Sequence, residues 1–401
     1  MQTQAIINIG CLGSVSDGKS TLVRELTGKE TQTDSREKVR NITIKQGYAN
    51  MKVWYNGNKY KTTHSDTNID DYDLVSHISW VDCPGHQTLI DTTFSSITLM
   101  DGAIIVVAVD QPLTMKPQLE QHLLAAKQGG LTKIIICMNK IDLVEKEVLM
   151  KRKKELDTML QKYSIVPYVI IPTCFNKGTG TKHLVTCIMN LFNPNEYIAK
   201  AQDDPFFRIC RTFDVNKPGT NYKDVVGGVI GGTLFSGKLK VGDKIEIRPG
   251  VISKGKTGNF TWEPIITNIL SIKTEATELD EIIPGGMVGL GTDIDPYYCK
   301  NNALIGHVVG LPNTLPDVFT EISIKCMLLS EYGYNWEPKV KDSAVLQIGT
   351  RSCDAELQSI KKNMFKFTLK KPVCIKNNEH VIISRNIDKI LKIVATGNVN
   401  Y

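Results

Sequence analysis

A glycine-rich loop near the start of the chain has the residue types and the spacing of a phosphate-binding loop. It follows a short apolar run and precedes a helix-compatible stretch, and its residues are Gly13, Ser14, Val15, Ser16, Asp17, Gly18, Lys19, Ser20 and Thr21. The pattern G-x-x-x-x-G-K-[ST] between a strand and a helix lets backbone N–H groups wrap the α- and β-phosphates of a nucleotide. Lys19 would then reach the β- and γ-phosphates, and the Ser20 hydroxyl would ligate Mg²⁺. A glycine-rich turn that matches the pattern by chance is the alternative.

A second group of residues has the types needed at the γ-phosphate end of such a site. Asp82 and Gly85 come directly after the apolar run 78–81. An aspartate at that position can hold Mg²⁺ through water, and the Gly85 N–H can sense the γ-phosphate. Thr43 lies between the phosphate loop and Asp82, where a loop can lend it to Mg²⁺ only while the γ-phosphate is present, which makes a switch. The alternative is that Thr43 is an ordinary β-branched strand residue.

The residue after Gly85 is His86, which stands beside the γ-phosphate end of the predicted site. Phosphoryl transfer needs mainly positioning and charge stabilisation, so we expect His86 to orient the attacking water and to be the catalytic residue. A lone histidine is more often structural, which is the alternative for His86. The other six histidines form no metal-like spacing, and we assign them no role.

Two polar motifs after later apolar runs carry groups that would recognise a guanine base. Asn139, Lys140 and Asp142 follow the run 133–138, and the Asp142 carboxylate can accept hydrogen bonds from the N1–H and N2–H₂ edge of guanine. Adenine lacks that donor pair, and a site built for such bonds rejects the wrong partner by roughly 10⁴ or more. The second motif follows the run 168–171, offers a backbone N–H to the guanine O6, and consists of Thr173, Cys174 and Phe175. The four motifs in this order predict binding of GTP and GDP.

Short apolar runs alternate with longer helix-compatible stretches in the first half of the chain. The runs that predict strands are residues 5–9, 78–81, 103–109, 133–138 and 168–171. The stretches that predict helices are residues 20–26, 89–99, 118–127, 148–162 and 182–191. Strands that are apolar throughout are typical of a parallel sheet covered by helices on both faces. We therefore predict an open α/β fold of the P-loop GTPase type, with each motif at the end of a strand.

The pattern changes in the second half of the chain. From residue 206 onward helices nearly vanish, and short strands recur between glycine-rich turns such as 227–232 and 237–243. Regularly spaced short strands with such turns predict closed β-barrels. We place boundaries near residues 200 and 311, which gives a P-loop GTPase domain at 1–200 and two β-barrel domains at 201–311 and 312–401.

The composition is that of an ordinary globular protein, with 41% hydrophobic residues, 22% charged residues and a formal net charge of +6. Disordered, fibrous and collagen-like chains are thereby excluded. The ten cysteines include no C-x-x-C pair, which argues against zinc-ribbon and thioredoxin-like proteins and suits a reducing compartment. The longest apolar run, 103–109, is too short to span a membrane, and the N-terminus has no signal pattern. We expect a soluble cytoplasmic protein that binds no membrane.

The motifs resemble those of translational GTPases of the elongation-factor-Tu type, and the strongest local marker is Asp-Cys-Pro-Gly-His at residues 82–86. A finer similarity links the chain to the gamma-subunit family of eukaryotic and archaeal initiation factor 2. Residues 40–50 resemble the first switch region of that family, and the other stretches that match are 139–143, 213–219, 226–232, 245–250 and 284–295. The resemblance covers nearly the whole chain and weakens after about residue 330.

The resemblance implies a GTP-dependent carrier of initiator methionyl-tRNA that works in a heterotrimer with alpha and beta subunits. It also implies delivery to the small ribosomal subunit, GTP hydrolysis as the release switch, and dependence on guanine-nucleotide exchange and GTPase-activating factors. By the same resemblance the aminoacyl end of the tRNA would lie near Tyr48, and Asn41 would couple that contact to the switch. The alternative for both is that they are plain loop and strand residues. The alternatives are a carrier of another cargo, and a GTP-controlled scaffold that holds the alpha and beta subunits and hydrolyses little.

The chain departs from the pattern of that family in its phosphate loop. Family members usually carry histidines where Ser14 and Asp17 stand here. A carboxylate near phosphates lowers nucleotide affinity unless it points to solvent or pairs with a cation, so Asp17 is what makes the scaffold alternative conceivable. Many relatives also carry a cysteine-rich zinc knuckle between the switches, but no cysteine lies between Cys11 and Cys83, so we expect no zinc.

A run of lysines near the C-terminus contains no acidic residue, and its members are Lys361, Lys362, Lys366, Lys370 and Lys371. One interpretation is contact with tRNA or ribosomal phosphates, in which case binding would depend strongly on salt. The alternative, which we favour, is that these lysines protect an exposed edge strand against aggregation.

Overall fold

The computed structural model of the 401-residue chain describes residues 4–31, 46–63, 69–86, 89–255, 258–275, 277–332, 335–387 and 390–401. The chain divides into two compact units. The first unit is built mainly on residues up to 194, and the second mainly on residues from 195 onward.

The first unit contains a sheet of seven strands in the described part of the chain. The strands are β1 (Ile7–Leu12), β2 (Gly47–Tyr55), β3 (Tyr60–Thr62), β4 (Asp73–Asp82), β5 (Gly102–Ala108), β6 (Ile134–Asn139) and β7 (Val169–Pro172). Their order across the sheet is β3-β2-β4-β1-β5-β6-β7. From β4 to β7 in that order, neighbouring strands are parallel, so their carboxyl ends lie at the same edge.

Helices connect these strands and cover the sheet. They are α1 (Lys19–Thr27), α2 (Ile90–Ile97), α3 (Pro117–Gln128), α4 (Lys146–Lys162) and α5 (Thr181–Leu191). Every residue of β5 and β6 is buried, as a sheet covered on both faces requires. The predicted α/β fold is confirmed. No helix among the described residues combines the length and the apolar character of a membrane span.

The hairpin of β2 and β3 is a difference from the predicted sheet. β2 runs antiparallel to β4, with Gly47 opposite Asp82 and Tyr55 opposite Asp73, so the sheet is mixed and not wholly parallel. The buried residues of β2 alternate in part with partly exposed ones such as Lys52. A strand with one solvated face has polar residues at every second position, so a search for runs that are apolar throughout passes over it.

The second unit opens with a short helix, α6 (Asn195–Ile198), and a first β-barrel. The strands are β8 (Phe206–Phe213), β9 (Val229–Ser236), β10 (Leu239–Lys240), β11 (Lys244–Lys254), β12 (Phe260–Thr274), β13 (Thr277–Leu279), β14 (Glu281–Ile282), β15 (Val288–Thr292) and β16 (Val308–Gly310). The ring β11-β16-β8-β9-β15-β12 closes because β12 pairs with β11. Its interior is apolar, with Phe207, Ile230 and Leu290 fully buried.

A second closed barrel follows, with strand order β17-β20-β19-β18-β21-β22. Its strands are β17 (Val318–Leu328), β18 (Ser343–Ile348), β19 (Arg351–Lys361), β20 (Met364–Cys374), β21 (His380–Ile387) and β22 (Ile390–Val399). The two predicted barrels are therefore confirmed. The edge-strand interpretation of the lysine run is wrong, because β20 pairs with β17 on one side and with β19 on the other. A closed barrel has no edge strand to protect.

The two barrels pack against each other within the second unit. Arg208 of the first barrel and Glu379 of the second form an ion pair at 2.6 Å, with side chains only 11% and 12% exposed. The Thr350 hydroxyl also donates to the Ile209 carbonyl at 2.7 Å. The predicted boundaries at 200 and 311 stay predictions, because the two compact units divide near residue 194 and most of both barrels lies in the second unit.

Candidate nucleotide-binding site

The four sequence motifs lie at the carboxyl ends of parallel strands in the first unit. The phosphate loop follows β1, Asp82 ends β4, Asn139 ends β6, and Thr173 follows β7. In open α/β sheets, ligands bind in the crevice outside these strand ends. The sheet therefore brings together residues that are far apart in the sequence.

The phosphate loop has a backbone that only certain residues adopt easily. Gly13 has a φ of 140° and Gly18 a φ of 104°, both in the region that glycine reaches without strain. A Cβ on Gly18 would collide with the side-chain amide of Asn139. No described side chain caps the start of α1. The N–H groups in the first turn of a helix have no partner within the helix itself, which is why helix starts bind anions.

Lys19 and Gly85 lie against each other at this loop. The buried Lys19 Nζ donates to the Ser14 carbonyl at 2.7 Å. A Cβ added to Gly85 would come within 2.5 Å of Lys19 Nζ and 2.8 Å of the Val15 nitrogen. Any side chain at position 85 would therefore have to displace the phosphate loop.

Ser20 and Asp82, the two described residues predicted to hold Mg²⁺, are in direct contact. The Ser20 hydroxyl donates to Asp82 Oδ2 at 2.7 Å. The Thr31 hydroxyl donates to the same oxygen at 2.6 Å, and Asp82 is fully buried. Thr31 is not predictable from the sequence, since no pattern links a threonine beyond the end of α1 to an aspartate 51 residues later.

Asp17, the unusual acid of the phosphate loop, is neutralised by a buried cation. Lys116 Nζ lies 2.5 Å from Asp17 Oδ1, and the other carboxylate oxygen accepts the Ser14 N–H at 2.9 Å. Lys116 also donates to the Ala108 carbonyl at 2.8 Å. Lys116 is not among the residues predicted from the sequence. The acid itself indicated that a cation was needed, but nothing in the sequence said which of the many lysines supplies it.

His122 is a second residue of the site to which the sequence analysis assigned no role. Its Nδ1 accepts the Gly13 N–H at 3.4 Å. Burial, with a smaller effect of the Lys19 charge, lowers the pKa of His122 to about 3, so the ring is neutral. Lys116, the residue before α3, and His122 within α3 together support the phosphate loop from one helix.

Asn139 joins the phosphate loop to the segment after β7. Its Nδ2 donates to the Asp17 carbonyl at 2.9 Å, and its Oδ1 accepts the Phe175 N–H at 3.2 Å. The N–H groups of Thr173 and Cys174 donate to the carbonyls of Met138 and Thr179, at 2.8 and 3.1 Å. A bond from this segment to a guanine O6 would have to replace or share one of these three bonds.

Asp142 presents a partly exposed carboxylate at the guanine end. The Cys174 thiol and then the Lys177 ammonium, which lies 3.0 Å from Oδ2, lower the pKa of Asp142, so it stays an ionised acceptor near neutral pH. Lys140 forms an ion pair with Asp110 at 2.9 Å, a contact that the sequence analysis did not predict.

The remaining predicted residues are not all brought into contact with these motifs. His86 is exposed directly after Gly85. Tyr48 is half-buried on β2, where its hydroxyl donates to Gln46 Oε1 at 2.5 Å. Asn41 and Thr43 lie outside the described residues. Among the residues that the structure describes, no group of three or more His, Cys, Asp or Glu side chains is arranged as metal ligands.

Family-wide sequence profiles match three stretches of the chain. The Elongation factor Tu GTP binding domain matches residues 4–194, Elongation factor Tu domain 2 matches residues 227–310, and the C-terminal domain of initiation factor eIF2 gamma matches residues 321–399. With the α/β fold, the barrels and the four motifs already described, these matches define a translational GTPase of the elongation-factor-Tu type.

Curated relatives identify the family within that class. The eukaryotic translation initiation factor 2 subunit gamma of Encephalitozoon cuniculi is 35% identical over 415 residues, which cover 100% of this chain and 93% of the relative. The translation initiation factor 2 subunit gamma of Pyrococcus furiosus is 37% identical over 98% of this chain and 97% of its own. The chain belongs to the gamma-subunit family of translation initiation factor 2. It is a GTPase that binds GTP and GDP and has a role in translation initiation.

Solved structures support the fold. A bacterial selenocysteine-specific elongation factor, EF-Sec, has a TM-score of 0.75 at 21% identity, over 98% of this chain and 58% of that chain. The elongation factor SelB of Methanococcus maripaludis, in complex with the GTP analogue GppNHp, has a TM-score of 0.74 at 20% identity, over 100% and 80%. At these identities the likeness is evidence for the fold alone.

Proposed function

We propose that this GTPase carries initiator methionyl-tRNA to the small ribosomal subunit and releases it when GTP is hydrolysed. The observation that carries the proposal is the similarity to initiation factor 2 gamma subunits along the whole chain, at 35% identity over 100% of it for one relative. A chain that matches these relatives along its whole length is expected to share their function. The contacts among the predicted nucleotide-site residues support the proposal.

The phosphates of GTP would lie on residues 13–18 and on the N–H groups of Ser20 and Thr21, with Lys19 on the β- and γ-phosphates. The donor set fits Mg²⁺, because the Ser20 hydroxyl and the Asp82 carboxylate are oxygen ligands that lie 2.7 Å apart. Ser20 would ligate the ion directly, Asp82 through water, and Thr43 while the γ-phosphate is present. When bound, Mg²⁺ neutralises charge on the β- and γ-phosphate oxygens.

The base would be selected by Asp142, which accepts the N1–H and N2–H₂ groups of guanine. Asn139 would hold the phosphate end and the base end in register, because its two amide atoms contact the Asp17 carbonyl and the Phe175 N–H. Lys140, Thr173, Cys174 and Phe175 complete the proposed base pocket.

Hydrolysis would need one water molecule placed in line with the γ-phosphate. His86 would orient that water, whose oxygen bonds to the γ-phosphorus while the bond to the β–γ bridging oxygen breaks, which gives GDP and inorganic phosphate. Loss of the γ-phosphate removes the contact that the Gly85 N–H would make to it, and with it the Mg²⁺ contact of Thr43. The release of the tRNA would follow from that change.

The tRNA and the protein partners are part of the proposal. Tyr48 would lie at the aminoacyl end of the tRNA, and Asn41 would couple that contact to the switch. The chain would assemble with alpha and beta subunits, depend on exchange and GTPase-activating factors, and work in the cytoplasm. The alternative is a scaffold with little hydrolysis, and the reason for considering it was the Asp17 carboxylate near the phosphates. Because Lys116 forms an ion pair with Asp17, that reason is weaker.

The test is the binding of charged initiator methionyl-tRNA to the purified chain, with GTP or with GDP, and with elongator methionyl-tRNA as the comparator. We expect tight binding only with GTP and only to the initiator. Binding that ignores the nucleotide, or no binding after the alpha and beta subunits are added, would contradict the carrier role and favour the scaffold.

A further inference from the structure

An open pocket of about 640 Å³ lies where the two barrels of the second unit meet. One wall is formed by the β11–β12 hairpin and the segment before β16, and the other by β19 and β20. The volume is within the range of about 300–1,000 Å³ that is typical of ligand pockets. The pocket belongs to the second unit alone, so it is separate from the nucleotide site.

The pocket is strongly basic. Its cations are Lys254, Arg351, Lys370 and Lys371, and among the described residues that line it none is an aspartate or a glutamate. Lys366, on the same strand as Lys370, differs because it forms an ion pair with Glu321 at 2.6 Å. The lysine run of the sequence analysis therefore has two kinds of member, and only Lys370 and Lys371 belong to the pocket.

A β-bulge places Lys370 and Lys371 on the same surface. Thr368 of β20 is opposite Glu321, but Val373 is opposite Phe319, so β20 has extra residues at this point. Both lysines are exposed although they are consecutive, which a regular strand with alternating faces does not allow. Bulges re-aim side chains in this way and are common next to functional sites.

The first barrel carries a bulge on the facing wall. The register of β11 against β12 shifts between Ile247 and Val251, and Gly250 in this interval has a φ of 84°. The buried His307 contacts the Gly250 carbonyl through Nε2 at 3.0 Å. Irregular backbone from both barrels thus shapes the same pocket.

Gly306 leaves room for the side chain of Arg351, which lines the pocket. A Cβ on Gly306 would overlap the Arg351 side chain, so the stem of Arg351 packs where only glycine leaves room. Arg351 is half-buried, which holds the guanidinium in a restricted orientation. A planar cation held in this way can donate paired hydrogen bonds to a phosphate.

Aromatic rings line the same pocket as these cations. Tyr297 is 70% exposed and meets Tyr298 edge-on at 5.7 Å, while Lys254 Nζ lies 5.6 Å from the centre of the Phe260 ring. Exposed rings beside cations are the features with which proteins bind single-stranded nucleic acid, since bases stack on the rings and phosphates contact the cations. Inorganic phosphate would contact the cations but would make no stacking contact with the rings.

We propose that this pocket binds a segment of single-stranded RNA, with its phosphates on Lys370, Lys371 and Arg351 and an unpaired base stacked on Tyr297. RNA is the polyanion that a translation factor meets, and unpaired bases are the part of RNA that aromatic side chains can reach. The proposal does not rest on the tRNA-carrier role, because its residues lie in the second unit and the proposed tRNA contacts lie in the first.

The experiment titrates the full chain, saturated with GDP and Mg²⁺, into fluorescein-labelled hexauridylate and follows anisotropy at several salt concentrations. The variant Lys370→Gln/Lys371→Gln should lower the affinity about tenfold or more and reduce the slope against log salt by about 1.4, since each phosphate contact on a single strand contributes about 0.7. The matched control is Lys361→Gln/Lys362→Gln, which also removes two positive charges. These lysines lie where β19 turns into β20 and do not line the pocket. The control variant should leave the affinity within about twofold.

The variant Tyr297→Ala distinguishes a pocket that binds nucleotides through base and phosphate from one that binds phosphate alone. We expect it to weaken binding about tenfold without changing the salt slope, because base stacking carries no charge. Inorganic tripolyphosphate at equal charge should displace the RNA poorly. The proposal is overturned if Tyr297→Ala binds as the unsubstituted chain does, if tripolyphosphate competes as well as RNA, or if the control variant loses as much affinity as the pocket variant.

Discussion

Lys116 Nζ lies 2.5 Å from Asp17 Oδ1, and the two side chains are 8% and 0% exposed. This buried ion pair joins the phosphate loop to the residue before α3, 99 positions away in the chain. The Asp17 carboxylate also accepts the Ser14 N–H. The ion pair therefore holds the backbone of the phosphate loop in position and balances the negative charge of Asp17. The phosphate loop thus keeps an acid without exposing an unpaired negative charge to the nucleotide.

Replacing Lys116 by methionine should destabilise the first unit and weaken nucleotide binding. Removing one partner of a buried ion pair leaves an uncompensated charge, which typically lowers the free energy of unfolding by about 3–5 kcal/mol. The unpaired Asp17 carboxylate should also lower GTP affinity by about tenfold or more, since like charges repel at short range. Urea unfolding and GTP titration measure the two effects.

The double variant Asp17→Asn/Lys116→Met tests the cause of these losses. It removes both charges, so it should recover most of the stability that Lys116→Met loses, and recover nucleotide binding with it. The control is Lys153→Met, which breaks an ion pair with Asp157 whose side chains are 37% and 43% exposed. A loss from Lys153→Met as large as that from Lys116→Met would refute the importance of the buried pair.

The motif residues were predictable because each motif is a continuous stretch whose spacing is set by one strand, one loop and one helix. Lys116 and Thr31 were not predictable for the opposite reason. They meet Asp17 and Asp82 only because the sheet order places β1 between β4 and β5. A single sequence carries no local pattern for contacts that depend on sheet order.

The elements of the fold also fall into those that the sequence could predict and those that it could not. The strands buried on both faces, such as β5 and β6, were predictable from unbroken apolar runs, and the barrels from turns at regular intervals. The β2–β3 hairpin was missed because its exposed face is polar. The bulge at Lys370 was also missed, because a bulge is defined by the partner strand and not by the strand itself.

Replacing Asp142 by asparagine should change which base the site accepts. The Cys174 thiol and the Lys177 ammonium lower the pKa of Asp142, so the native residue offers two acceptor oxygens to the two donor groups of guanine. Asparagine offers one acceptor and one donor, so GTP affinity should fall by about 10²-fold or more. Xanthosine triphosphate, with a carbonyl in place of the guanine amine, should bind the variant better than GTP does.

Lys177→Met is the control for that experiment. It breaks the contact between Lys177 and Asp142, whose side chains are 63% and 25% exposed, but leaves the carboxylate in place. An exposed ion pair contributes little, so GTP affinity should change by less than about threefold. If Asp142→Asn bound GTP normally, the guanine-recognition role of Asp142 would be wrong.

The buried His122 should make stability depend on acidity. Burial and the Lys19 charge lower its pKa from 6.5 to about 3, so between these values the unfolded chain binds a proton that the folded chain does not. The contribution of the neutral His122 ring to the free energy of unfolding is therefore fully present above pH 6.5 and is lost as the pH falls towards 3. His122→Gln should remove up to about 1.4 kcal/mol per pH unit from the slope of unfolding free energy against pH in this window.

Urea unfolding at a series of pH values between 7 and 4 measures that slope. The matched control is His183→Gln, which makes the same substitution at a histidine that is exposed on α5. His307 acts in the same direction, since burial lowers its pKa to about 4, so some slope should remain in the His122 variant. An identical slope in His122→Gln and the unsubstituted chain would mean that His122 is not buried as a neutral base.

His86 is the residue whose role depends on chemistry and not on packing. It is exposed after Gly85, and Gly85 contacts Lys19 at the loop that would hold the phosphates. Because an exposed side chain adds little to stability, His86→Ala should keep the unfolding free energy and the GTP affinity of the unsubstituted chain. Single-turnover hydrolysis of bound GTP, with and without ribosomal subunits, should nevertheless slow by about 10²-fold or more. Unchanged hydrolysis in His86→Ala, or an equal loss in the exposed control His183→Ala, would mean that the attacking water is oriented by another group.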